Sequence, residues 1–132
     1  MSKTFVFKIV APGKQVETLE IESLITKTSD GQIEINANHA PIIASVVPTI
    51  SIIKYEGIIE EIFTSYGMLY IEDNILYLCC DTFEKADDID LSRAENAKQR
   101  AKDRLNNHQT SIDVARAKKA LERANARLKI SR

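Results

Sequence analysis

Over residues 1–86 apolar side chains recur at every second position in short runs. Phe5, Phe7 and Ile9 alternate with Val6 and Lys8 ahead of a Pro12-Gly13 turn, Leu19 and Ile21 alternate with Glu20 and Glu22, and Ile33 and Ile35 flank Glu34. A period of two sends alternate side chains to one face, which is the pattern of a half-buried strand. Turn residues at Ser29-Asp30-Gly31, Glu56-Gly57, Tyr66-Gly67 and Asp73-Asn74 separate further β-rich runs, Ile50 to Tyr55, Ile58 to Ser65 and Ile75 to Cys80. Short strands punctuated about every 8 to 12 residues predict a β-sandwich, a flattened barrel of short antiparallel strands.

From residue 87 the period changes. Leu91, Ala94, Ala97, Ala101 and Leu105 are spaced by three and four, as are Val114, Ala117, Leu121, Ala124 and Leu128. Each set makes one stripe along a helix. Asp88 or Asp90 can cap the first helix, and Asp87, Asp88 and Asp90 suit the positive end of its dipole. Asn106-Asn107-His108-Gln109-Thr110 interrupts the pattern, and Ser111 with Asp113 starts the second helix. Two stripes joined by a short loop predict an antiparallel α-helical hairpin. The fold class is therefore α+β, with a sandwich domain over 1–86 and a helical hairpin over 87–132.

Composition breaks at the same place. All four Phe, four Tyr, four Gly and three Pro lie at or before Phe83, whereas eight Ala lie from Ala94 onward. Residues 1–86 carry 6 Lys and no Arg against 12 acidic residues, a net charge of −6, while residues 87–132 carry 12 basic against 7 acidic residues, a net charge of +5. A near-neutral total of −1 thus hides a dipolar molecule. A basic hairpin beside an acidic body can rest on that body, reach an acidic partner or hold a polyanion.

The hairpin stripe is mostly alanine. Burial is worth ~0.8 kcal/mol per methylene-sized group, so an alanine seam holds two helices together less firmly than one of Leu or Phe. Alanine is also the best helix former, so each helix can persist undocked, and a slim, static hairpin is the alternative reading of the same seam. Arg93 and Arg100 are seven apart and share a face, as do Arg123 and Arg127, four apart. With a turn near His108, Arg93 comes level with the span from Arg123 to Arg127. Like charges so spaced repel by ~0.2–0.5 kcal/mol, which an anion would reverse, and planar guanidinium forks suit a polyphosphate. A solvated basic face is the plainer reading of the same pattern. A ligand held only by the docked hairpin would add ~1.4 kcal/mol to that state at ten times its dissociation constant.

The order Asp30-Gly31, Asn38-His39-Ala40-Pro41-Ile42-Ile43-Ala44, Gly67-Met68-Leu69-Tyr70-Ile71, Ile89-Asp90-Leu91-Ser92-Arg93-Ala94 and the run Ala117 to Leu128 resembles the epsilon subunit family of bacterial and chloroplast ATP synthases across essentially the whole chain. The resemblance implies a β-sandwich that grips the gamma subunit and sits on the c-ring, with Gly31, Asn38 and His39 at partner contacts. It implies a hairpin that folds against the sandwich or extends toward the alpha/beta catalytic head and blocks hydrolysis. In Bacillus-like members the folded hairpin is similar to an ATP sensor whose motif, Ile-Asp-x-x-Arg-Ala-x-x-Ala-x-x-Arg, is matched here by Ile89, Asp90, Arg93, Ala94, Ala97 and Arg100. Glu84, Arg123 and Arg127 also match its nucleotide-contacting positions. The arginines would hold phosphates, and Glu84, Ile89 and Asp90 would surround base and ribose. No cofactor is required, and ATP is the implied regulatory ligand. Two departures stand out: Asn36-Ala37-Asn38 replaces the Leu-Pro-Gly of many relatives, and Thr49, not Gly, follows Pro48.

Other classes fit less well. There is no Gly-x-x-x-x-Gly-Lys phosphate loop and no Gly-x-Gly-x-x-Gly turn, so no catalytic residue is assigned and ATP hydrolysis is not expected. His39 has no Ser, Cys or paired carboxylate in a recognisable catalytic arrangement. The basic half lacks aromatic residues to stack bases, and the acidic body repels phosphate, against a nucleic-acid partner. Adjacent Cys79 and Cys80 lack the spacing for a disulfide framework or a metal site, and read as two small buried hydrophobes in a reducing compartment. The first residues lack a secretory pattern, and no apolar run approaches the ~20 residues that span a bilayer. The expected location is the cytoplasmic face of the cell membrane, peripherally, through the complex.

Overall fold

The computed structural model describes residues 3–107 and 110–131. Ten strands come first: β1 Phe5–Val10, β2 Glu17–Ile21, β3 Ser23–Thr28, β4 Gly31–Asn36, β5 Ile42–Val46, β6 Thr49–Tyr55, β7 Ile58–Thr64, β8 Gly67–Glu72, β9 Ile75–Cys80 and β10 Phe83–Lys85. A 3₁₀ turn, Ala86–Asp88, leads into helices α1, Leu91–Asn106, and α2, Ser111–Arg127. His108 and Gln109 of the expected interhelical turn lie outside the described residues.

The sheet runs β10-β7-β6-β3-β5-β8-β9-β1-β2, with β4 paired to β3 off this path. Curling brings one face of each strand inward. Phe5, Phe7 and Ile9 of β1, Leu24 of β3, Ile53 of β6, Leu69 and Ile71 of β8 and Leu76 and Leu78 of β9 form one buried core. The alternation read from sequence is therefore the inward face. Two hairpins close on two residues each, Glu56-Gly57 with φ of 50° and 75° and Asp73-Asn74 with φ of 53° and 62°, the left-handed pairs whose twist matches that of the flanking strands.

The expectation of purely antiparallel strands needs one correction. β1 pairs with β9 in parallel, Phe7 opposite Leu76 and Ile9 opposite Leu78. Antiparallel β2 occupies the other edge of β1. Parallel neighbours need a long crossover, which the chain supplies by running through β2 to β8 before returning.

Gly67 is a second correction. It begins β8 instead of making a turn, and a Cβ there would stand 1.9 Å from the Cys79 carbonyl oxygen and 2.7 Å from Cys80 Cα. It is glycine because two strand backbones approach closely.

The cysteines divide by face. Cys80 is buried in the core and Cys79 is exposed, which corrects the reading of both as buried, because neighbours on a strand point oppositely. Burial pushes the Cys80 thiol up to about 11. At pH 8 only ~0.1% of such a thiol is thiolate. Treatment with a disulfide reagent at pH 8 is expected to modify one thiol quickly and the other at least about a hundredfold more slowly, with Cys79→Ser abolishing the fast phase.

The helices pack along the expected alanine seam, with Ala94, Ala101, Ala117 and Ala124 buried. Asp90 caps α1 by accepting from the Arg93 amide at 3.0 Å. Thr110, one residue before the expected start, caps α2 by accepting from the Asp113 amide at 3.1 Å. The hairpin meets the sheet through a small second cluster in which Phe63, Ile89, Ala126 and Ile130 are buried beside Ile50 and Leu91. This explains why Ile62, Phe63 and Thr64 are all buried although they alternate in direction: the core covers one face of β7 and the helices cover the other.

Candidate functional site

The two helices and the end of β10 enclose a cavity of about 440 Å³ lined by Glu84, Asp88, Asp90, Arg93, Ala94, Ala97, Arg100, Ala120, Arg123 and Arg127. Each wall follows from local structure. Arg93, Ala97 and Arg100 of α1 are spaced by four and three, so they share a face beside the capping Asp90, and Arg93 and Arg100 stand ~10 Å apart along the axis. On α2, Ala120, Arg123 and Arg127 repeat the same spacing. Alanines between the arginines leave the seam narrow and give the cavity its depth.

Arg127 is the most constrained cation. Its Nε donates to Glu84 Oε1 at 2.6 Å, and its guanidinium lies 4.3 Å from the centroid of the Phe63 ring. Both side chains of the ion pair are 24% exposed, so the pair is partly desolvated. Arg93, Arg100 and Arg123 make no side-chain ion pair among the described residues. Three arginines thus face one cavity without carboxylate partners. Such a cavity can take a ligand with several closely spaced negative charges, each guanidinium offering a planar fork of donors.

Of the residues expected at a nucleotide site, Glu84, Asp90, Arg93, Ala94, Arg100, Arg123 and Arg127 line this one cavity. Ile89 does not. It is 2% exposed and packs with Phe63, Ala126 and Ile130 where the hairpin meets the sheet. Asp88, read from sequence only as a cap or dipole partner for α1, lines the cavity, as does Ala120. The spacing of Ala120 from Arg123 and Arg127 was the available signal for it. Asp88 lies in a 3₁₀ turn and carried none.

The residues expected at partner contacts do not form one site. Gly31, with φ of 125°, starts β4 at its turn with β3, where Thr28 Oγ1 donates to the Gly31 carbonyl at 2.9 Å. Asn38 and His39 follow the other end of β4, so a six-residue strand separates them from Gly31. Asn38 has φ of 63°, a conformation asparagine tolerates where the resembling family has glycine, and its amide donates to Asn74 Oδ1 at 2.7 Å. His39 Nδ1 donates to the Ala40 carbonyl at 2.7 Å.

A latch on α2 was not visible in sequence. The Tyr66 hydroxyl donates to Glu122 Oε2 at 2.5 Å, and Lys119 Nζ lies 5.5 Å from the Tyr66 ring centroid. Burial, then the bond to Glu122, raises the Tyr66 hydroxyl above its usual range. Because the folded value is raised, the protonated hydroxyl contributes fully below the unfolded value of about pH 10 and is lost as pH rises through the higher folded one. Beyond α2, the Ser131 amide donates to Glu61 Oε1 at 2.9 Å. Tyr66→Phe is expected to speed amide exchange in α2 about three- to tenfold near neutral pH and to leave β8 and β9 unchanged, since one such bond contributes ~0.5–1.5 kcal/mol.

Both parts of the chain match known proteins. Residues 4–86 match the family described as ATP synthase, Delta/Epsilon chain, beta-sandwich domain, and residues 87–132 match ATP synthase, Delta/Epsilon chain, long alpha-helix domain. An ATP synthase epsilon chain from Clostridium botulinum (strain Langeland) is 46% identical over 100 residues, covering 75% of each chain. This chain belongs to the ATP synthase epsilon chain family. A second epsilon chain, from Clostridium novyi (strain NT), is 42% identical over 106 residues, covering 80% of this chain and 81% of that one. The fold also matches solved structures. A chain in the cryo-EM structure of Euglena gracilis mitochondrial ATP synthase (OSCP/F1/c-ring, rotational state 1) has a TM-score of 0.82 at 15% identity, over 93% of this chain and 78% of that one. One in the Tetrahymena thermophila mitochondrial ATP synthase central stalk/c-ring structure has 0.70 at 12% identity, over 97% and 96%. This epsilon-family fold contains no described helix long and apolar enough to cross a membrane.

Proposed function

We propose that this chain is the non-catalytic central-stalk subunit of an F1Fo ATP synthase, and that its hairpin restrains ATP hydrolysis and binds ATP as a regulatory ligand. Family membership supports the first part, together with the named source of the related structures, F1/c-ring and central stalk/c-ring assemblies. In this reading the sandwich contacts the gamma subunit and the c-ring, and the chain lies peripherally at the cytoplasmic face of the cell membrane through the complex. When extended, the hairpin reaches the alpha/beta head and inhibits hydrolysis.

The observation that carries the ATP reading is the meeting of four arginines from both helices in one cavity. They repel one another in the docked hairpin, and a polyphosphate relieves that repulsion only while the helices stay together. The alanine seam and the small cluster around Phe63 and Ile130 hold the docked state with little apolar area. Ligand binding therefore shifts the balance between docked and extended hairpins by its differential affinity for the two.

The decisive measurement is calorimetric titration of the purified chain with ATP. Saturable one-to-one binding by millimolar concentration is expected, with slower amide exchange in α1 and α2. Absence of binding at millimolar ATP removes the sensor role. Failure to co-purify with gamma and the alpha and beta subunits removes the stalk role.

A further inference from the structure

Three carboxylates line the arginine cavity, in different states. Glu84 Oε1 accepts from Arg127 Nε at 2.6 Å, and Asp90 Oδ1 accepts from the Arg93 amide at 3.0 Å. The Asp88 side chain makes no hydrogen bond or ion pair among the described residues and is exposed, its recorded influence being the pull of its charge on the Lys85 ammonium. Its position is nevertheless set. It ends the 3₁₀ turn that links β10 to α1, where the Ile89 amide donates to the Ala86 carbonyl at 3.3 Å. It also lines an adjoining cavity with Lys14, Gln15, Glu17, Phe83, Glu84 and Lys85, so it stands in the wall between the two. The nearby ammonium of Lys85 is engaged at 3.1 Å by Glu17.

An ionised carboxylate only accepts hydrogen bonds and repels phosphate. Arg93 and Arg100 run away from Asp88 along α1 with Arg123 facing them from α2, while Arg127, the arginine at the Glu84 end, is held by its ion pair to Glu84. The phosphates of a bound nucleotide belong on that side, and the end near Asp88 is left for the nucleoside, which carries amino and hydroxyl donors. We propose that Asp88 is a specificity-determining residue of the pocket: it accepts a hydrogen bond from a donor on the nucleoside end of the ligand and turns away bare polyphosphate. This rests on the reading of the cavity as an ATP site. It gives the pocket polarity, because the arginines alone would hold any polyanion of suitable length.

Asp88→Ala in the full chain tests this, with ATP and inorganic tripolyphosphate titrated separately. The side chain is exposed and makes no hydrogen bond or ion pair among the described residues, so the variant is expected to unfold within about 4 °C of wild type, the share of the α1 dipole and the Lys85 charge. ATP affinity is expected to fall about tenfold, as for loss of a hydrogen bond to a charged group, while tripolyphosphate affinity stays constant or rises up to about threefold. Opposite responses of the two ligands distinguish recognition from general electrostatics, since removing a repulsive charge alone would strengthen both. Equal strengthening of both, or no change in either, overturns the role of Asp88 and leaves the ATP site standing. No binding of ATP to wild type overturns the site and the role of Asp88 together.

Discussion

Replacing Arg93 and Arg127 together by alanine is expected to weaken ATP binding by the purified chain at least about a hundredfold, because each charge-assisted hydrogen bond to phosphate is worth ~1.5–3 kcal/mol. The two residues come from different helices and line the same cavity, so the double substitution removes the ligand's grip across the hairpin from both sides. The single substitutions separate two effects. Arg93 is exposed and its side chain has no ion-pair partner among the described residues, so Arg93→Ala should lower affinity about ten- to a hundredfold with the unfolding temperature unchanged. Arg127 also pairs with Glu84 and stacks on Phe63, so Arg127→Ala should in addition loosen the docked hairpin. That loss should appear as faster amide exchange in α2 even without ligand. Unchanged ATP affinity in the double variant would mean that the arginine cavity is not the ligand site.

Gly67→Ala should have the largest effect on folding. The added methyl would collide with backbone atoms of β9, the Cys79 carbonyl oxygen at 1.9 Å and Cys80 Cα at 2.7 Å, and neither can rotate aside as a side chain would. β8 and β9 are paired from Gly67 opposite Cys80 to Glu72 opposite Ile75, with Leu69, Ile71, Leu76 and Leu78 all buried between the sheet faces. Relief of the clash therefore has to separate strands in the middle of the core. Overpacking of this kind costs ~3 kcal/mol or more, enough to lower the thermal midpoint by about 10 °C or to prevent folding. Circular dichroism during heating reads it directly. A variant that unfolds at the wild-type temperature would show that β8 and β9 do not approach as closely as described.

Much of the molecule was legible because it depends on local periodicity. Alternation at Phe5, Phe7 and Ile9 and the seam from Ala94 to Leu128 report which side of an element is buried, and each is set by neighbours within a few residues. The arginine cavity belongs to the same class. Once two helices are antiparallel, spacings of three, four and seven decide which guanidinium groups share a face.

What escaped the sequence depends on partners far along the chain. Gly67 looks like a turn residue until β9 is laid beside it, and its need for glycine comes from the backbone of Cys79 and Cys80. Ile89 stands within the stretch that resembles a nucleotide-sensor motif, and the close approach of Phe63, Ala126 and Ile130 buries its side chain against the sheet. Tyr66 meets Glu122 across 56 residues. Local sequence therefore determined the elements and the faces they bury. Only tertiary packing decided which backbones touch, where the hairpin is latched and which carboxylate of the cavity remains unpaired, because those outcomes depend on distances between segments that no periodicity encodes.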